Sequence, residues 1–129
     1  MDFELTDLKS GKFVLSSYKG KNPVLLFFWT TECPLCGYEM PVLNKMYPDL
    51  LKDGLVVASV NVGEDLGLVV DYMSAYPDAL YPVLLDISYL VARKYRVFGV
   101  PTYILIDKDG YIVFVGHRFS QAKFKEVIP

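Results

Sequence analysis

Residues 27–41 read FFWTTECPLCGYEMP and hold both cysteines of the chain, Cys33 and Cys36. They close an apolar run, PVLLFFW at 23–29. A run that is apolar at successive positions is a strand buried on both faces, as at the centre of an α/β sheet. Pro34 suits the first position of a helix, where its missing N–H leaves no bond unmade. The stretch therefore reads as strand, loop and helix, with Cys33 at the helix tip and Cys36 one turn on. There the Cys33 sulfur faces unpaired N–H groups and the positive end of the helix dipole, and both favour thiolate over thiol.

On either side, apolar runs alternate with helical patterns over 129 residues, which indicates one α/β domain spanning 1–129. DFELTD and KFVLSS flank LKSGK, a small hairpin with Gly11 in its turn. The helix begun at Pro34 is expected to run to about Tyr47 and to kink at Pro41, with Pro48 ending the segment or starting another short turn. LVVASVN at 55–61 is a second buried strand. Leu66, Val69, Val70 and Met73 fall at helical spacing and predict an amphipathic helix over 64–75. YPVLLD reads as a short strand, and Ser88–Tyr95 as a short helix capped by Asp86 or Ser88. TYILID and YIVFVG are joined by Lys108-Asp109-Gly110, a hairpin signal. SQAKFKEVI places Phe124, Val127 and Ile128 on one face of a last helix.

Composition excludes several classes. A hydrophobic fraction of 53% with 15% aromatics argues against disorder. A net charge of −2 supplies no basic patch for nucleic acid. No apolar run is long enough to cross a membrane as a helix. No signal peptide is visible, and a start so close to a strand suits a domain of a longer secreted or tethered precursor.

Three chemistries fit a Cys-x-x-Cys pair. A structural disulfide would add little stability, because the loop it closes is small. A metal site needs more ligands than two cysteines and the single histidine, His117. A copper or zinc carrier using Cys33, Cys36 and His117 stays open as an alternative. The third is thiol–disulfide exchange, which a Cys-x-x-Cys pair between a buried strand and a helix signals strongly. His117 otherwise reads as a surface or strand-end residue.

FFWTTECPLCGYEMP resembles the active-site segment of thioredoxin-fold proteins, and GVPTYILIDKDGYIV resembles their cis-proline loop and following hairpin. The order of segments is similar to that of the TlpA/ResA-like branch of extracytoplasmic thiol–disulfide oxidoreductases. The resemblance covers nearly the whole chain. It implies a thioredoxin fold with a mixed central sheet, helices on both faces and an added N-terminal hairpin. It makes Cys33 the attacking cysteine, with Pro34 beside it, and Cys36 the resolving one. Pro101 becomes the cis-proline, Val100 the residue whose backbone pairs with substrate, and Trp29 a tryptophan near the active site that borders substrate. Glu64 matches a glutamate that tunes cysteine ionisation. The chain departs from relatives at Glu32, where many carry Trp, and at Phe27, where thioredoxin carries a buried Asp.

The resemblance further implies reduction of protein disulfides outside the cytoplasm, periplasmic or tethered to a membrane, including preparation of apocytochrome c thiols. It implies no cofactor, a thiol electron donor that is soluble or membrane-bound, and a monomer. A peroxiredoxin-like thiol peroxidase remains as an alternative. Thr30-Thr31-Glu32-Cys33 supplies that family's Thr-x-x-Cys, but Leu26 stands where its motif requires Pro.

Overall fold

The computed structural model describes residues 2–128. Strands β1 (Glu4–Thr6) and β2 (Lys12–Val14) form an antiparallel hairpin, followed by a short 3-10 turn, Leu15–Tyr18. The main body runs β3 (Val24–Trp29), α1 (Pro34–Lys52), β4 (Val56–Val62), α2 (Leu66–Met73), β5 (Val83–Asp86), α3 (Leu90–Lys94), β6 (Thr102–Ile106), β7 (Ile112–Gly116) and α4 (Gln121–Lys125). Its five strands lie in the order β5-β4-β3-β6-β7. β3 runs parallel to β4, and β4 to β5, whereas β6 and β7 join antiparallel on the other side of β3.

All six residues of β3 are buried. Side chains alternate across a strand, so the run divides between two cores. Leu25, Phe27 and Trp29 pack with Cys36, Met40 and Leu43 of α1, Val69 and Met73 of α2, and Phe124 of α4. Val24, Leu26 and Phe28 pack on the opposite face with Phe3 and Phe13 of the hairpin segment and Val91 and Ala92 of α3. The hairpin thus covers part of the second face. It also lies against the β5 edge, where the Leu8 N–H donates to the Val83 carbonyl at 2.8 Å.

Several local expectations are corrected. Helix α1 passes through Pro48 and ends at Lys52. A proline removes one helical hydrogen bond, but Cys36, Met40, Leu43 and Leu50 form one buried stripe that carries the helix past both prolines. Helix α2 is shorter than 64–75 and is capped by Asp65, which accepts from the Leu68 N–H at 2.9 Å. Only Val69 and Met73 of its apolar set are buried, while Leu66 and Val70 stay half exposed. Gly11 does lie in the turn of the first hairpin, as expected, and the left-handed residue there is Ser10, with φ 70°. Gly11 is needed for close approach, since a Cβ there would lie 2.8 Å from Asp7 Oδ2.

The α3 helix is shorter than Ser88–Tyr95, running Leu90–Lys94 after Tyr89 at φ 64°, and of the two expected capping residues it is Asp86 that binds its first turn. Its buried carboxylate accepts from the N–H groups of Val91 at 3.1 Å and Ala92 at 2.8 Å. The Lys108–Gly110 hairpin is also present, with Gly110 at φ 95° and Asp107 Oδ1 accepting from the N–H groups of Asp109 and Tyr111. Phe124 is fully buried in α4, and Val127 and Ile128 pack on the same core just beyond it. Asp86→Ala strands two helix-end donors in a buried site, at a cost of about 1–3 kcal/mol each if left wholly unsatisfied. Urea unfolding is expected to show a lowered midpoint with an unchanged slope.

Candidate active site

Cys33 occupies the N-cap position of α1, with extended backbone, and Pro34 takes the first helical position. The N–H of Cys36 points at Cys33 Sγ at 3.1 Å. The two sulfurs are joined as a disulfide, with Cα atoms 5.2 Å apart. The pair is asymmetric: Cys36 is fully buried in the core, whereas Cys33 is half-buried at the helix tip.

The Val100–Pro101 peptide is cis. Pro101 is buried, and the loop around it is tightened by Thr102, whose hydroxyl donates to the Gly99 carbonyl at 2.6 Å. Gly99, Val100 and Pro101 form one wall of a cleft of about 380 Å³. Leu35, Tyr38 and Glu39 from the first turns of α1 line another part, and His117 and Arg118 complete it. Leu35 and Tyr38 expose large apolar surfaces here, as does Phe98 just before the loop, at 91%.

Glu64 is anchored behind the cysteine loop. Its Oε1 accepts from the Thr31 N–H at 2.8 Å and from Asn61 Nδ2 at 2.8 Å. Its Oε2 accepts from the Thr31 hydroxyl at 2.6 Å. A sharp turn makes this possible. Gly63 has φ 71°, and a Cβ there would run into the Tyr89 ring. Glu64 therefore precedes the α2 cap and is not part of its first turn.

Trp29 is fully buried, which corrects its expected contact with substrate. It lies in the same core as Cys36, with the Tyr72 ring 5.3 Å away. The Tyr72 hydroxyl is pushed up to about 12, first by burial, then by Tyr76 and the Glu64 charge, so it stays protonated at neutral pH. His117 is an exposed residue just after β7, yet it belongs to the cleft through contact with Pro101. Thr31, Asn61 and Glu39 escaped the sequence reading. Asn61 had a visible signal, as a polar residue at the end of an apolar strand.

A family model described as AhpC/TSA matches residues 1–115, which include both cysteines, Glu64 and Pro101. The chain belongs to the AhpC/TSA family. Within this family setting, it is 41% identical over 111 residues to thiol-disulfide oxidoreductase ResA of Geobacillus kaustophilus (strain HTA426), a match covering 86% of this chain and 63% of that protein. The chain thus spans less than two thirds of that relative. A crystal structure of a putative thiol:disulfide interchange protein DsbE from Chlorobium tepidum superposes with a TM-score of 0.83 at 30% identity, over 98% of this chain and 87% of the other. The exposed lipoprotein thioredoxin Etrx1 of Streptococcus pneumoniae strain TIGR4 superposes with a TM-score of 0.80 at 30% identity, covering 98% and 99%. The fold is the thioredoxin fold expected from the two motifs.

In the reduced protein, the exposure difference is expected to set the order of alkylation. Brief iodoacetamide treatment followed by mass mapping should label Cys33 well before Cys36. Preferential labelling of Cys36 would reverse their roles.

Proposed function

We propose that this chain is a thiol–disulfide oxidoreductase that reduces protein disulfides. The observation that carries the reading is a disulfide between a half-exposed helix-cap cysteine and a buried partner one turn on. The structure corresponds to the oxidised form. In the reduced form, the helix N-terminus and the Cys36 N–H favour negative charge on the Cys33 sulfur. That thiolate attacks one sulfur of the substrate disulfide, and the other substrate sulfur leaves as thiolate. Cys36, once deprotonated, attacks Cys33 Sγ and displaces the second substrate sulfur. Two electrons pass to the substrate, and the Cys33–Cys36 disulfide forms. A thiol donor, soluble or membrane-bound, then re-reduces the protein.

The substrate chain pairs with the backbone of Val100 as a short added strand, with Pro34, Pro101 and the apolar side chains of the cleft beside it. Glu64 takes part in the proton transfer at Cys36. We place the activity outside the cytoplasm, as a relative described as an exposed lipoprotein supports, with apocytochrome c thiols among the products. Among the described residues, no helix is long and apolar enough to cross a membrane. The domain acts as a monomer.

The rival readings have less support. Among the described residues, no three His, Cys, Asp or Glu side chains converge to hold a metal ion. The peroxidase motif lacks its proline, because Leu26 lies buried in mid-strand at that place.

Reduced protein mixed with insulin should lose two thiols for each insulin disulfide reduced. An absence of thiol transfer would sink the proposal. Cys36→Ser should accumulate a mixed disulfide, and Cys33→Ser should not. For Glu64→Gln, the amide oxygen can keep both bonds now made by Oε1, while its NH2 group donates to the Thr31 hydroxyl in place of Oε2. Thermal stability should therefore hardly change. Release of the mixed disulfide should slow roughly a hundredfold, at the low end of general-base contributions. An unchanged release rate would remove Glu64 from the mechanism.

A further inference from the structure

His117 lies outside the residues matched by the family model, which end at 115. It nevertheless reaches the loop on which substrate pairing depends. His117 Nδ1 is 3.0 Å from the Pro101 carbonyl oxygen and 3.4 Å from Thr102 Oγ1. A carbonyl only accepts, so Nδ1 carries the proton and donates to it. The Thr102 hydroxyl already donates to Gly99 at 2.6 Å, which leaves its oxygen to accept the weaker share of the same N–H. One imidazole N–H thus serves two consecutive residues, while Thr102 holds the loop from within.

The histidine is itself held in place. It follows directly on Gly116, whose register partner on β6 is Tyr103. Two residues beyond it, the Phe119 N–H donates to Glu39 Oε1 at 2.6 Å. Glu39 belongs to α1, the helix that Cys33 caps. The segment 117–119 therefore spans from the cysteine helix to the cis-proline loop, and its two polar contacts fix the one relative to the other across the cleft.

We propose that His117 is a positioning residue that holds the Val100–Pro101 backbone in register for pairing with an extended polypeptide substrate, through its Nδ1–H and the Pro101 carbonyl. This rests on the oxidoreductase reading above. A protein disulfide enters with a strand that must align with Val100. A small disulfide meets Cys33 without any strand to align. Loosening the loop therefore slows the first reaction and spares the second.

The imidazole's two nitrogens can be tested apart. The amide nitrogen of asparagine falls near the place of Nδ1, and that of glutamine near Nε2. The second-order rate of thiol loss from the reduced protein is measured with insulin and with the small aromatic disulfide DTNB. For His117→Ala and His117→Gln, the insulin rate should fall about threefold to tenfold, the worth of one hydrogen bond, with the DTNB rate unchanged. His117→Asn should restore the insulin rate. Three results would overturn the inference: no change with insulin in any variant, equal loss with both disulfides, or His117→Asn as slow as His117→Ala. A wild-type protein inert toward both disulfides would instead overturn the oxidoreductase reading, and this inference with it, before any variant is made.

Discussion

The position of the cysteine helix depends on β3 being covered on both faces. A strand with one open face can slip by two residues and still bury the same side. β3 resists either slip, because a shift by one exchanges Leu25, Phe27 and Trp29 with Val24, Leu26 and Phe28 between two differently shaped cores, and a shift by two displaces close-packed side chains in both cores at once. Its register with β4 places Trp29 opposite Asn61. The loop that carries Thr31 and the loop that carries Glu64 therefore leave the sheet side by side, and the two bonds from Thr31 onto the Glu64 carboxylate close the gap between them, while Asn61 at the end of β4 holds the same carboxylate from its own side. Sites at the carboxyl ends of neighbouring parallel strands follow from this geometry in open α/β sheets.

The same helix gives the two cysteines different surroundings although three positions separate them. Cys33 caps the helix, outside its hydrogen-bonded turns, and keeps part of its surface open. Cys36 sits on the stripe that continues to Met40 and Leu43, all within the core. A nucleophile needs access, and a resolving thiol needs only its neighbour's sulfur. In the proposed mechanism, burial of Cys36 protects the reduced pair from attack at the wrong cysteine without hindering the step in which Cys36 attacks Cys33.

Much of this arrangement was legible in residues 23–41 and 99–113. An apolar run with no alternation, a proline at the helix start and two cysteines one turn apart leave few other readings. An anchor for α3 was legible too, as Asp86 or Ser88, because either side chain can accept from the unpaired N–H groups of a helix start, and the fold decides for Asp86. What stayed hidden depends on contacts between distant residues. Pro48 is a stop signal locally, but the burial of Leu50 outweighs it. Asn44 binds the 78–80 segment through both ends of its amide, donating to Asp78 O at 3.0 Å and accepting from the Leu80 N–H at 2.8 Å. Nothing near Asn44 in the chain announces that partner. His117 reads as a strand-end residue because it is one, and its contact with Pro101 arises only when β7 pairs with β6.

Phe27 shows how packing limits the choice of a proton acceptor. It lies 4.8 Å from the Tyr103 ring, and both are fully buried. A carboxylate there would sit between aromatic faces with its charge unpaired, a costly burial. Tyr103 offers no substitute, since burial first and Glu39 second push its hydroxyl up, and it stays protonated. Of the carboxylates on or beside the start of α1, Glu32 faces solvent, and Glu39 is turned toward the Phe119 N–H on the cleft side. Glu64 approaches from the other direction, bound to the loop that ends in Cys33 and close enough for its charge to act on Tyr72, which packs on Trp29 behind the cysteines. With the strand position closed to charge, the role proposed for Glu64 at the buried thiol depends on the end of β4, where the Gly63 turn directs the carboxylate to the cysteine loop.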